Sequence, residues 1–126
     1  GGKLAKILII DDSPLFRVLL KEVLVTNGHD TFEASTVEEA LEVFEKVSPD
    51  LVFKDLIMED NDPLALIVKF KSLNPAVKIV VVSTDTQKSL IYQAIKAGAK
   101  DFLIKPFKTT EVTMTVNRLL GGNTRS

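Results

Sequence analysis

The chain has no cysteine and no tryptophan, and it holds a single histidine, His29, and a single tyrosine, Tyr92. Without cysteine there is no disulfide, no thiol redox chemistry and no thiolate metal site. One imidazole excludes a metal centre built on several histidines. No apolar run reaches the length of a membrane span, and no secretory signal is visible. The formal net charge of −1 gives no global attraction to nucleic acid or to an anionic membrane surface. Repeats and low-complexity tracts are absent. The lack of cysteine suits a cytoplasmic location. What remains is an ordinary globular composition, 45% hydrophobic and 26% charged over 126 residues, enough for one buried core. Gly1-Gly2 reads as a processing or cloning remnant within an extension over 1–5. One domain is expected over 6–120, with 121–126 a frayed tail or the start of a linker.

The chain is organised around Asp55, at the end of the apolar run 50–54. A carboxylate at the tip of a buried strand is costly unless something requires it there. Other apolar runs end in the same kind of chemistry. Lys6 to Ile10 ends in Asp11-Asp12, Val77 to Val82 in Ser83-Thr84, and Phe102 to Ile104 in Lys105-Pro106.

Between the runs lie helix signals. Ser13-Pro14 opens a helix carrying Phe16, Leu19, Leu20, Val23 and Leu24 at helical spacing, and Asn27-Gly28 stops it. A strand over 30–34 follows. Thr36 and Glu39 form a capping box for a helix with Ala40, Leu41, Phe44 and Val47, ended by Ser48-Pro49. After a polar loop over 59–62, Pro63 begins a helix with Leu64, Ile67, Val68 and Phe70 on its apolar side, closed by Asn74-Pro75. The strand 78–83 precedes a helix capped by Asp85 or Thr86 and running through Ala97 to Gly98. The strand 101–104 precedes a last helix, capped by Thr109 or Thr110, with Val112, Val116, Leu119 and Leu120. Five strands alternating with five helices predict an α/β fold: a parallel sheet with helices on both faces. Ligands of such sheets bind beyond the carboxyl ends of the strands. That edge would gather Asp11, Asp12, Asp55, Ser83 and Lys105.

Three clustered carboxylates repel, by roughly 3 kcal/mol per pair at about 5 Å and an effective dielectric of about 20. Lys105 or a hard divalent cation would offset this, and all-oxygen ligands point to Mg²⁺. Asp55 would then be the nucleophile towards a phosphoryl group, with Lys105 stabilising its charge and the Ser83 hydroxyl turning inward to bind it.

These segments resemble the receiver domain of two-component response regulators, of the CheY-like kind. The likeness rests on Ile-Ile-Asp11-Asp12-Ser-Pro, Pro49-Asp-Leu-Val-Phe-Lys-Asp55, Val-Val-Val-Ser83 and Ala97-Gly-Ala-Lys-Asp-Phe102-Leu-Ile-Lys105-Pro106-Phe107. The flavodoxin-like strand order 2-1-3-4-5 comes from this resemblance, not from the spacing of the elements. The resemblance implies that Asp55 accepts phosphate from a histidine kinase or phosphotransfer protein. It implies that Asp11, Asp12, Asp55 and the Ile57 backbone carbonyl hold Mg²⁺. Ser83 becomes the switch hydroxyl, Phe102 the switch aromatic, and Ile57 and Asp85 the positions that tune loss of phosphate. Lys105–Pro106 is expected to be cis. The output would be a protein contact through the fourth helix, fifth strand and fifth helix, with Ile91, Ile95 and Phe102 on that face. The domain would be a monomer or a phosphorylation-dependent dimer, would bind no nucleic acid or membrane, and would not be a turnover enzyme.

Several residues depart from the family's pattern. Glu59 and Pro63 replace the usual Pro and Gly of the loop after Asp55, and Thr84 stands where a small Ala is usual. Lys54 interrupts a buried run; alternation points it away from Asp55, and its ammonium is expected to reach solvent. His29 reads as a surface residue near a helix end. Glu38, Glu39, Glu42 and Glu45 read as a solvated face. Leu90, Ala94 and Ala97 suffice for the core stripe of the fourth helix, so Ile91, Tyr92 and Ile95 are either a docking patch or core. Two other readings stay open: a pseudo-receiver, an interaction module that is not phosphorylated, and a small flavin- or nucleotide-binding domain. The latter lacks a Gly-rich phosphate loop after the first strand.

Overall fold

The computed structural model describes residues 4–59 and 62–121. The expectations for Gly1-Gly2, for the centre of the 59–62 loop and for the tail beyond Gly121 lie outside the described residues. Strands β1 (Lys6–Ile10), β2 (Asp30–Ala34), β3 (Leu51–Asp55), β4 (Lys78–Ser83) and β5 (Asp101–Ile104) alternate with helices α1 (Pro14–Thr26), α2 (Val37–Val47), α3 (Ala65–Leu73), α4 (Lys88–Ala97) and α5 (Thr109–Leu120). All pairings are parallel and the order is β2-β1-β3-β4-β5, a flavodoxin-like arrangement. Sequence order reverses between β1 and β3, which opens a crevice at their carboxyl ends.

Strand alternation sorts the core into two layers. Ile7, Ile9, Leu51, Phe53, Val80, Val82 and Leu103 pack with Leu20 and Leu24 of α1 and with Val112 and Val116 of α5. Leu8, Ile10, Val52, Ile79 and Val81 pack on the other side with α2, α3 and α4, where Phe44 and Phe70 stack at 4.1 Å. Asp11, Asp55 and Lys105 continue the parity of Ile9, Phe53 and Leu103. All three therefore emerge on the α1/α5 side.

The caps follow local chemistry. Ser13 Oγ accepts from Phe16 N, and Pro14 occupies the first turn of α1. Thr36 Oγ1 accepts from Glu39 N at 3.1 Å, but Glu39 reaches Ser35 N at 2.6 Å, not Thr36 N, so the capping box is half made. Gly98 ends α4 at φ +129°, where a side chain would be strained and would press on the Lys71 stem.

Six expectations are corrected. Pro63 lies in a turn before α3, and Val68 is exposed while Leu66 joins Ile67 and Phe70 in the core, so the face packed on the sheet is turned away from Val68. Asp85 and Thr86 belong to a short 3₁₀ turn over Asp85–Gln87 ahead of α4. Thr109 and Thr110 are inside α5; Lys108 precedes it, and its N–H donates to Glu111 Oε1 at 2.7 Å. His29 is buried, its Nδ1 accepting from Ala5 N at 3.1 Å. Lys54 is 0% exposed, so its ammonium does not reach solvent.

Candidate functional site

The carboxyl edge of the sheet gathers acids from the ends of β1 and β3 and a lysine from the end of β5. Ligand oxygens of Asp11, Asp12 and Asp55 all lie within 4.8 Å of one another. Lys105 Nζ stands 3.0 Å from Asp11 Oδ2 and 3.5 Å from Asp55 Oδ2. Asp11 and Asp55 are buried and Asp12 is exposed. Asp11 Oδ1 accepts from Ser13 N at 2.8 Å, which ties the first acid to the start of α1. Among the described residues its buried Oδ2 has no hydrogen bond and meets Lys105 as an ion pair. A backbone bond from Lys105 N to Ser83 O at 2.7 Å fixes where the lysine leaves β5.

Asp55 bears the cost of this assembly. Burial, then the Asp11 carboxylate, push its carboxyl up from 3.8 to about 6, against the opposing pull of Lys105; Asp12 and a hydrogen bond with Asp11 add to the rise. The pull of Lys105 is thus outweighed at Asp55.

Three residues that sequence reasoning did not assign to the site help build it. Lys105 Nζ sits 4.1 Å from the centre of the Phe16 ring, which also packs on Phe107 at 5.7 Å. Phe16 read as helix core because its spacing fits that role too. Arg17 donates through Nη1 to the Asp11 carbonyl and pairs with Glu33 at 3.2 Å. The Ser83 hydroxyl bonds the Gln87 side chain, with the Thr84 carbonyl 3.2 Å away. No pattern in the sequence marks Arg17 or Gln87, since both act through contacts that only the fold creates.

Ser83 is buried beside the site, but its hydroxyl faces the start of α4 instead of the carboxylates. Ile57, two residues after Asp55, is 45% exposed, and Asp85 is exposed in the 3₁₀ turn. Glu59 and Thr84 are exposed too, and the Thr84 hydroxyl lies 2.8 Å from that of Thr86. Beside Asp12 runs a groove of about 670 Å³ lined by Ser35, Thr36, Val37, Glu38, Met58 and Glu59. Of the proposed partner face, Phe102 and Ile95 are exposed, as is Tyr92. Ile91 is 6% exposed and belongs to the core with Ala94, so it is removed from that face. The Lys105–Pro106 bond is cis. Among the described residues no helix is long and apolar enough to cross a membrane.

Known proteins share this arrangement. The response regulator receiver domain family matches residues 7–117. The chemotaxis protein CheY of Bacillus subtilis is 36% identical over 116 residues, covering 91% of this chain and 97% of that protein. The sporulation initiation phosphotransferase F of the same organism is 30% identical, over 91% and 93% of the two chains. The crystallised receiver domain of NtrX from Brucella abortus superposes with a TM-score of 0.87 at 32% identity, covering 93% of this chain and 99% of that one. Against the longer NtrX chain the same fold spans 27% of the length, with a TM-score of 0.90. A flavin- or nucleotide-binding domain is thereby set aside: the chain belongs to the CheY-like receiver domains of two-component response regulators.

Proposed function

We propose that this receiver takes a phosphoryl group from a phosphohistidine of a kinase or phosphotransfer protein onto Asp55. The observation that carries the reading is Lys105 Nζ within 3.5 Å of both buried acids, Asp11 and Asp55, with Asp12 beside them. An Asp55 carboxylate oxygen would attack phosphorus as the N–P bond breaks, and the imidazole would leave with its electron pair and be protonated. With its pKa about 6, Asp55 is mostly ionised at neutral pH and able to attack. Lys105 would hold charge on the phosphoryl oxygens, and the Ser13 N–H would keep Asp11 oriented.

The donor set fits Mg²⁺: it is all oxygen, it is crowded with like charge, and it includes a buried Asp11 oxygen without a hydrogen bond among the described residues. Asp11, Asp12, Asp55 and the Ile57 carbonyl would hold the ion, which when bound supplies positive charge to the phosphoryl oxygens. Ser83 would exchange its Gln87 bond for the phosphoryl group and so move the start of α4, with Phe102 following. Ile57 and Asp85 would tune loss of phosphate. Phe102 and Ile95 would meet a protein target across α4, β5 and α5, as a monomer or as a phosphorylation-dependent dimer. No turnover of substrate beyond self-phosphorylation and dephosphorylation is part of this reading, and its setting is the cytoplasm. The interaction-module alternative is not favoured. Its motive was Glu59, Pro63 and Thr84; Glu59 and Thr84 are exposed and Pro63 lies in the turn before α3, while the three acids and Lys105 lie together.

The test is treatment with Mg²⁺ and acetyl phosphate, followed by mass spectrometry. One phosphoryl group on Asp55 is expected, and none in Asp55→Asn. A wild-type protein that takes up no phosphate and binds no beryllofluoride overturns the proposal.

A further inference from the structure

Lys105 leaves β5 towards Asp11 and Asp55, and it has a further neighbour of a different kind. Its ammonium lies 4.1 Å from the centre of the Phe16 ring, within the range of a cation–π contact. The Lys105 side chain is 13% exposed, so little water screens that contact.

Phe16 stands in the first turn of α1, and the start of that helix is tied to the same site. Asp11 Oδ1 accepts from Ser13 N at 2.8 Å, and Ser13 Oγ accepts from Phe16 N at 3.5 Å. The Phe16 ring also packs on Phe107 at 5.7 Å, two residues beyond Lys105. Asp11, Ser13, Phe16 and Lys105 therefore form a closed circuit of contacts, which returns from Lys105 Nζ to Asp11 Oδ2 at 3.0 Å.

The ring differs from the two carboxylates in what the reaction does to it. Phosphorylation would turn the Asp55 carboxylate into a neutral acyl group bearing the phosphate, and a bound cation would draw on the charge of Asp11. Both changes weaken an ion pair of Lys105. Neither alters the negative face of the ring. A Leu would satisfy the same helical stripe of α1 but has no such face. The lysine stem is long and flexible, and its charge helps a phosphoryl group only where it is held in place.

We infer that Phe16 is a positioning residue for Lys105: its ring face keeps the ammonium at the acidic edge as the carboxylate partners weaken, so that the charge stays at hand for the phosphoryl oxygens. This role rests on the phosphotransfer reading above.

The experiment is calorimetric titration of the full chain with beryllofluoride, a stand-in for the phosphoryl group, at saturating Mg²⁺. The variants are Phe16→Leu, Phe16→Tyr and a series with the Phe16 ring fluorinated once, twice and three times. Fluorination drains the negative face while the ring keeps nearly its size and its packing on Phe107. Beryllofluoride affinity should fall stepwise along that series, by roughly 2- to 10-fold at its end, the size of a partly screened cation–π contact. Phe16→Leu should lose a similar amount, and Phe16→Tyr, which keeps the face, should stay near wild type. In metal-free protein the trifluorinated ring should lower the urea midpoint relative to the same change made in Lys105→Met. Should Phe16→Leu fail to fold, the fluorinated series carries the comparison. A flat series, or equal midpoint shifts with and without Lys105, overturns the role of Phe16 and leaves the phosphotransfer reading standing. A wild-type chain that binds no beryllofluoride overturns both.

Discussion

The two edges of the sheet are built on opposite terms. At the amino edge, polar groups are paired off. His29 Nδ1 accepts from Ala5 N, Asp50 Oδ2 accepts from Lys6 N at 2.9 Å, and Lys71 Nζ donates to the carbonyls of Pro75 and Val77 at 2.7 and 2.8 Å. At the carboxyl edge, three carboxylates crowd together beside the Lys105 ammonium, and a buried Asp11 oxygen has no hydrogen bond among the described residues. The same strands run into both edges, so strand propensity does not separate them. One edge closes the fold and the other gathers like charge.

The sharpest way to break this contrast is Lys105→Met without metal. It leaves buried Asp11 facing Asp55 with their neighbouring cation gone, and should cost about 3–5 kcal/mol by urea unfolding at pH 7.5, with Mg²⁺ restoring part of the loss. An unchanged midpoint would mean that the ion pair carries no weight.

Asp55→Asn should act in the opposite direction. The Asp55 carboxyl is raised in the folded state, from 3.8 to about 6, so the folded protein binds the extra proton. Its contribution is most favourable below pH 3.8 and is lost as pH rises through about 6. Above that, the ionised group costs up to about 3 kcal/mol. Asp55→Asn should therefore be more stable than wild type by roughly 1–3 kcal/mol at pH 7.5, a gain that fades towards pH 4. A variant less stable than wild type at pH 7.5 would place the strain elsewhere.

The amino edge should show an effect of similar size with the other pH slope. Burial lowers the His29 pKa from 6.5, and its Nδ1 must stay unprotonated to accept from Ala5 N. A lowered pKa contributes stability above 6.5 that is lost as pH falls through the folded value. His29→Ala should cost about 1–3 kcal/mol at pH 7.5 for the unpaired Ala5 N–H and lost packing, and less at pH 5. Equal losses at both pH values would remove the imidazole from the account.

Much of this was legible before the fold was known. The runs ending at Ile10, Ser83 and Ile104 became β1, β4 and β5, because β-branched runs flanked by cap and turn residues have few alternatives. The acids and Lys105 were legible as run-ends, since alternation carries a strand's parity into the residue that follows it. The miss at His29 has a different origin. Whether a polar side chain after a helix cap is solvated depends on which strand passes it, here the residue before β1. Ile91 failed for the same reason: helical spacing names a stripe but not its width, and the sheet beneath α4 decided that.

The sequence by itself determined the succession of elements, the facing parity of Asp11, Asp55 and Lys105, and the composition of the edge where they meet. These follow from period, capping and alternation, which act over a few residues. Tertiary structure decided the destinations of the long side chains: Lys54 back to the Asp55 carbonyl, Arg17 to the Asp11 carbonyl and Ser83 to Gln87. Those contacts depend on where neighbouring strands stop and which backbone oxygens are left over, and no local pattern encodes that.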